Sequence, residues 1–494
     1  MDSTNKLLFG DNLRWLQNRG LFPDESIDLI YLDPPFNSNA DYNVLFREES
    51  GEMSQAQFHA FTDTWSWADA AETYNRFVDT CSNMAVVEML QALHSFLKNS
   101  PMMAYLAMMA PRLVELHRVL KSTGSLYLHC DSTASHYLRL LLDGIFGKEN
   151  FRNEIIWYYY NKIHDRRKKM FPRATDTIMF YVKNVHAKFT YHQLKEKRET
   201  PVKQLVRKKV NGVMKNAKDE DGHVIYRVKE DRTLDNVWRI PCLQPAAPER
   251  LGYPTQKPQK LLERIISASS NPGDLVLDPF CGCGTTIHAA QKLRVNWIGI
   301  DITYLAINLI KRRLKDAFGK RVEYTEMGQP TDFESAKALS DLDKWQFQQW
   351  ALSLVHARPL KQGKGKGADR GVDGLIFFYE SKDRREKILV QVKGGGVQRS
   401  DVATLIGDVK NQKFVGGVLI TLEKPTKPMR DEAADAGKYT SELWHTKSYP
   451  KIQILTVEGL LSGQERLDAP PTDNPFETAE TEIIGEQQQQ ELLG

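Results

Sequence analysis

Cysteine is scarce in this chain, with five in 494 residues: Cys81, Cys130, Cys242, Cys281 and Cys283. So small and odd a set excludes a disulfide-stapled secreted fold and suits a reducing cytoplasm. Long apolar runs are missing too, so neither a signal peptide nor a spanning helix is predicted and no membrane partner is expected. There is no Gly-Lys-Ser/Thr triplet, which excludes a P-loop, and no helicase motif, so translocation would need another protein. Cys281 and Cys283 lack a second Cys or His pair at zinc spacing, and no metal is expected there. The formal net charge is only +4, so nucleic-acid contact must be argued from where basic residues cluster.

The length predicts two or three domains. KLLFG, IDLIYL, an amphipathic helix through Pro111, Leu113, Leu116, Val119 and Leu120, and GSLYLHCD alternate strand-like and helical character. That alternation predicts an α/β fold with a parallel sheet and crossover helices, and the Met-rich run MMAYLAMMAPRL reads as a core-facing helix. From residue 161 to about 218 the periodicity fades and basic residues crowd in, as HDRRKKMFPR and KEKRETPVKQLVRKKVNGVMK. Tyr158, Tyr159, Tyr160 and Phe171 interleave aromatic faces with these charges, which points to nucleic-acid contact over a solvated loop. Alternation returns with GDLVLDPFCGCGTT and NWIGIDI. Residues 325–341 read as a linker, 342–463 as a smaller α/β unit, and 464–494 as a tail too polar to pack.

Two stretches look like halves of one site. IDLIYL ends on Asp33 followed by Pro34, Pro35 and Phe36, and a strand that stops on a carboxylate presents it at a sheet edge where ligands bind. DPFCGCGTT follows the strand LVL and precedes a helix. Gly282 and Gly284 permit a tight turn, and the helix N-terminus after Thr285 offers free N–H groups. The next strand ends on Asp301, about 20 residues on, placed to bond ribose hydroxyls. The third glycine of a dinucleotide loop is replaced by Thr285-Thr286, so the expected ligand is a nucleoside without phosphates.

DPFCGCGTT resembles the D-P-F-x-G-x-G-T-T loop of S-adenosylmethionine-dependent DNA amino-methyltransferases, and DPPF resembles their catalytic motif. GYPTQKPQKLLERII resembles the helix that closes over the methionine end of the cofactor. The similarity spans roughly residues 5 to 318 and includes FRNEIIWYYY and GSLYLHCD. DPPF precedes the glycine loop by about 245 residues, an order similar to that of the circularly permuted β class.

The resemblance implies a Rossmann-like methyltransferase sheet over residues 1–324, with 161–250 as an inserted target-recognition region, acting on double-stranded DNA. It implies that Asp11 contacts the cofactor adenine, Asp301 the ribose, and Asp278 with the loop from Phe280 through Gly282 and Gly284 the methionine part. For Asp11 a helix N-cap is the structural alternative. Asp33 and the Pro34 carbonyl would accept the two N–H bonds of an exocyclic amine, and Phe36 would stack on a base swung out of the duplex. Asp at the first motif position favours adenine N6 over cytosine N4. A cytosine-C5 enzyme would need a nucleophilic Cys, for which Cys242 is a formal candidate, and an RNA substrate is a third reading.

GADRGVDGLIFF followed by KILVQVKGGG forms a second constellation. Asp373 on one strand would face Gln391 and Lys393, two residues apart on one face of the next. A carboxylate and an amide could hold Mg²⁺ while Lys393 steadies the attacking water. This resembles the D…Q-x-K variant of the PD-(D/E)xK nuclease fold of Mrr-like restriction endonucleases, with Gln391 where an acid is more common. It implies either a combined modification and restriction enzyme or a solitary methyltransferase whose C-terminal unit only binds DNA. Recognition sequence and oligomeric state stay open, a homodimer included.

Overall fold

The computed structural model describes residues 4–35, 66–162, 169, 171–319 and 322–471, apart from 211, 245, 252, 254, 360–371, 381–383 and 445–446. Phe36 and the cluster Arg166, Arg167 and Lys168 lie outside the described residues.

The chain opens with β1 (Lys6–Phe9), α1 (Asn12–Leu16) and β2 (Ile27–Leu32). β2 is buried at five of its six positions, as expected of a parallel strand covered on both faces. Three helices follow, α2 (Trp67–Thr80), α3 (Met84–Leu97) and α4 (Pro101–Val119). The Ser100 hydroxyl caps α4 by accepting from the Met103 N–H, and Pro101 fills its first turn where no donor is needed. The Met-rich face of α4 is core, with Met103 and Met109 buried.

β3 (Leu120–Cys130), α5 (Ser135–Phe146), β4 (Phe151–Tyr158) and β5 (Thr175–Val182) come next. The basic insertion then forms two antiparallel ribbons. β6 (Lys195–Leu205) pairs with β9 (Tyr226–Thr233), and β7 (Arg207–Val210) with β8 (Val213–Asn216). β10 (Val237–Arg239), α6 (Gln259–Ser269), β11 (Leu275–Asp278), α7 (Thr285–Lys292), β12 (Asn296–Asp301), α8 (Tyr304–Phe318) and β13 (Thr325–Met327) complete the first domain.

Its nine strands run in the order β10-β4-β5-β3-β2-β11-β12-β1-β13. Neighbours are parallel except at β5, which is antiparallel to both β3 and β4. Adjacent residues on the central strands point to opposite faces. Leu8 and Ile30 join α1 to α5 on one side, while Leu7 and Leu29 join α6 to α8 on the other. From β2 the chain crosses to β3 and from β11 to β12, in opposite directions, so the β2/β11 junction is a topological switch point.

The second domain holds α9 (Phe333–Leu342), α10 (Lys344–Leu354), β14 (Arg358–Pro359), β15 (Gly374–Tyr379), β16 (Arg385–Lys393), α11 (Arg399–Asn411) and β17 (Gly416–Thr421). It ends with α12 (Lys427–Asp435), β18 (Lys438–Thr440), β19 (Ser448–Pro450), β20 (Ile452–Thr456) and α13 (Val457–Ser462). Its sheet order is β14-β15-β16-β17-β20, with β16, β17 and β20 parallel.

The expected linker at 325–341 is structured instead. Thr325 to Met327 pair with β1, and Asp332 and Ser335 form a reciprocal cap on α9. The first residues of the expected tail also pack. Glu465 accepts from the Thr456 N–H and hydroxyl, and the Gln453 side chain bonds the Asp468 backbone. Both segments are polar in sequence because their side chains serve as caps and braces.

The two domains share a core. Tyr304 of α8 is buried with Phe347 and Trp350 of α10, and its ring stacks on Phe9 at 3.8 Å. The Gln346 amide donates to the Ile302 carbonyl at 2.7 Å. Calorimetry of the full chain should therefore show one cooperative unfolding peak, and two well-separated peaks would contradict a shared core.

Candidate active site

Parallel packing puts the carboxyl ends of β3, β2, β11, β12 and β1 along one sheet edge, joined by the amino end of antiparallel β5. A cavity of about 1120 Å³ opens there, and its lining includes Asp11, Asp33, Asp176, Asp278 and Asp301. It brings together the two sequence half-sites. This volume takes a nucleoside-sized ligand together with a second ring.

The glycine loop is held by its own acids. Asp278 accepts from the Phe280 N–H at 3.1 Å and from the Thr286 hydroxyl at 2.5 Å. Asp301 accepts from the Gly282 N–H at 2.9 Å and from the N–H and hydroxyl of Thr303. Burial lifts Asp278 to about 7 and Asp301 to about 6, against the opposing pull of these bonds. Gly282 and Gly284 both have positive φ, and a Cβ on Gly284 would lie 2.6 Å from Ile310. Below the loop, buried Arg313 donates to the Thr285 hydroxyl at 3.1 Å and to His288 at 3.2 Å. Burial pushes the Cys281 and Cys283 thiols up, and among the described residues no group of His, Cys, Asp or Glu gathers to hold a metal.

Asp11 is an N-cap, accepting from the Leu13 N–H at 2.7 Å, and it also lines the cavity. Arg112 of α4 clamps it, donating to both carboxylate oxygens and to the Asn12 side chain. Asn12 in turn donates to the Pro279 carbonyl at 2.8 Å, tying α1 to the glycine loop.

At the other end of the cavity, the Lys257 ammonium bonds Asp33 Oδ2. Asp33 Oδ1 is buried and accepts no hydrogen bond from any described residue. Pro34 is buried beside it and Pro35 half-buried. His129, fully buried on β3, contacts the Tyr31 hydroxyl at 3.0 Å and lies 3.5 Å from Asp176. Lys257, His129, Asp176, Arg112 and Asn12 were not singled out as site residues by sequence reasoning. Lys257 and His129 stand inside the motif stretches GYPTQKPQK and GSLYLHCD, which were the available signal. Asp176 arrives only because β5 runs antiparallel, which its sequence does not announce.

The basic ribbons project Lys203, Arg207, Lys208 and Lys209 with exposed Val202, Leu205, Tyr226 and Val228. Of the four aromatics expected to interleave with charge, Tyr158, Tyr160 and Phe171 are exposed and Tyr159 is buried.

In the second domain the expected Mg²⁺ set is corrected. Asp373 accepts from the Gln348 amide at 2.9 Å and the Val392 N–H at 2.6 Å, so both its oxygens already serve N–H donors. Gln391 is buried and donates to Asp408, and Lys393 pairs with Asp401 at 3.1 Å. Among the described residues this leaves a single carboxylate, with the amide and the lysine drawn toward α11, and no group of three His, Cys, Asp or Glu to hold a divalent cation.

The DNA methylase family model (N6_N4_Mtase) matches residues 27–312, more than half of the chain. The chain belongs to the DNA methylase family. This methylase is 26% identical over 360 residues to the type II methyltransferase M.EcaI of Enterobacter cloacae, covering 63% of this chain and 69% of that protein. It is 27% identical over 311 residues to the DNA adenine methyltransferase YhdJ of Escherichia coli (strain K12), covering 62% and 82%. Among solved structures, the M1.HpyAVI-SAM complex matches at 18% identity and a TM-score of 0.33, over 63% of the methylase and 100% of that chain. Residues 346–462 match a second model, the NACHT-associated inactive restriction endonuclease 1.

Gly284→Ala should destabilise the methylase by about 1–3 kcal/mol in urea unfolding, since it adds left-handed strain and a contact with Ile310. Gly273→Ala, also at positive φ but facing open space, should cost only the backbone part. Equal losses for the two would show that Ile310 does not constrain the loop.

Proposed function

We propose that this methylase transfers a methyl group from S-adenosylmethionine to the N6 amine of adenine in duplex DNA, with the permuted order of the β class. The observation that carries the reading is Asp33 Oδ1, a buried acceptor with no donor among the described residues, at the edge of the cavity that the glycine loop closes. A buried, unpaired carboxylate oxygen is costly, and an N–H donor on a substrate would relieve that cost.

The residues of the loop fit the cofactor. The Gly282–Gly284 turn permits close backbone approach, Asp278 and Asp301 offer acceptors at adjacent strand ends, and Asp11 caps the helix that follows the next strand, β1. Bound there, S-adenosylmethionine supplies a methyl carbon made electrophilic by its sulfonium. Asp33 would accept one N–H of the amine and the Pro34 carbonyl the other. With both N–H bonds held, the nitrogen lone pair is drawn out of ring conjugation toward the methyl carbon. The prolines fix φ, so the carbonyl keeps its aim. Lys257 holds Oδ2, which orients the carboxylate and leaves Oδ1 for substrate. The base reaches this depth only by leaving the duplex, and the basic ribbons are the surface that would hold the flanking backbone. Adenine is favoured over cytosine by the aspartate at the first motif position.

For the second domain, the arrangement of Asp373, Gln391 and Lys393 and the match to an inactive endonuclease family support a non-cleaving, DNA-binding role.

Asp33→Ala should lower methyl transfer by roughly 10²-fold or more while binding of S-adenosylmethionine, measured by calorimetry, stays within about 2-fold. Parallel loss of both would show that Asp33 serves the cofactor instead.

A further inference from the structure

We propose that His129, backed by Asp176, receives the proton that leaves the amine through Asp33. This rests on the reading of Asp33 as the amine's acceptor. His129 is 0% exposed, yet it stands between two carboxylates on neighbouring strands. Its Nδ1 lies 3.9 Å from Asp33 Oδ1 and its Nε2 3.5 Å from Asp176 Oδ2. Tyr31 touches Nδ1 at 3.0 Å, and Trp157 meets the ring edge-on at 5.5 Å. A histidine buried only for packing needs one hydrogen-bond partner, and Tyr31 provides it. Two flanking carboxylates go further, because they place a proton source beside Nδ1 and a proton acceptor beside Nε2.

The proton balance follows. The amine lone pair forms the C–N bond while sulfur keeps the pair of the breaking C–S bond, so positive charge moves from sulfur to nitrogen. One N–H then breaks, its electron pair stays on nitrogen, and the proton passes to Asp33 Oδ1. With the Nε2 proton directed at Asp176, Nδ1 is the basic nitrogen. Rotation of the Tyr31 hydroxyl frees it to take the proton from Asp33, which returns to carboxylate. The separation of 3.9 Å is one that a bound substrate must tighten. The imidazolium then yields its Nε2 proton to Asp176, whose side chain is 14% exposed at the cavity, and from there to water.

Other charged and titratable groups frame this path. Lys257 sits on Asp33, Cys130 and Asp131 follow His129 on its own strand, and Arg173 bonds Asp131 at 2.7 Å. Tyr159 bonds Asp176 at 3.3 Å. His129 is therefore a positioning and proton-receiving residue that acts through Asp33.

The test is the single-turnover rate of the full chain on unmethylated duplex DNA with saturating S-adenosylmethionine, from pH 5 to 9. Wild type should lose rate as the pH falls, because a proton already held on the relay blocks the next one. His129→Asn should lower the rate about 10²-fold or more and abolish that acid limb, with cofactor and DNA affinities within about 2-fold. Asp176→Asn removes the proton acceptor beside Nε2, so it should lower the rate roughly 10-fold or more with the same affinities. It also keeps the test open should His129→Asn fail to fold. An unchanged rate and limb in His129→Asn, or an unchanged rate in Asp176→Asn, overturns the proposal. Absence of amine methylation by wild type would instead remove the underlying reading.

Discussion

Hydrogen bonding between β2 and β11 is the constraint on which the rest of the structure depends. Leu29 pairs with Val276 and Ile30 with Leu277, strands from opposite ends of the domain. Asp28 reinforces the junction, accepting from the Leu275 N–H across 247 residues of sequence and pairing with Lys121 of β3. With these strands side by side and parallel, Asp33 and Asp278 emerge at one edge. The two half-sites line one cavity, Asp33 from one side and the glycine loop from the other. Burying acids on both sides is costly, and the structure meets that cost with donors. Lys257, Phe280, Thr286, Gly282 and Thr303 satisfy five of the six oxygens of Asp33, Asp278 and Asp301, and among the described residues only Asp33 Oδ1 is left without a donor.

Much of this was legible in the sequence, because parallel strands that end on carboxylates carry their own signature. The alternation of runs, the positions of Asp33, Asp278 and Asp301, and the second α/β unit all follow from residue pattern. Strand order does not follow so directly: β1 slots between β12 and β13, a pairing that no local signal encodes. Polar segments misled for a definite reason. Residues 332–335 and 465–468 are hydrophilic, as a linker or tail would be, yet their side chains cap α9 and brace β20. Spacing also overstated the second constellation. Gln391 and Lys393 do share a face of β16, but that face packs on α11, whose Asp408 and Asp401 take both side chains.

Helix α10 gives the second domain a place in the account of the first. Its Gln346 grips the Ile302 carbonyl, in the turn that follows Asp301, while Gln348 holds Asp373. Ile302 and Thr303 line the cavity, so its wall is braced from the second domain. Such an arrangement gives the second domain a structural part in the first. It supplies core around Tyr304 and fixes one edge of the pocket.

Analysis of the product decides whether the chain methylates adenine in DNA and whether it cuts. The purified chain would be incubated with unmethylated duplex DNA, labelled S-adenosylmethionine and Mg²⁺, and the DNA examined intact and then as nucleosides by mass spectrometry. The expected product is unbroken DNA carrying label as N6-methyldeoxyadenosine. Label on a ring carbon of cytosine, or no label in DNA under any condition, would contradict it.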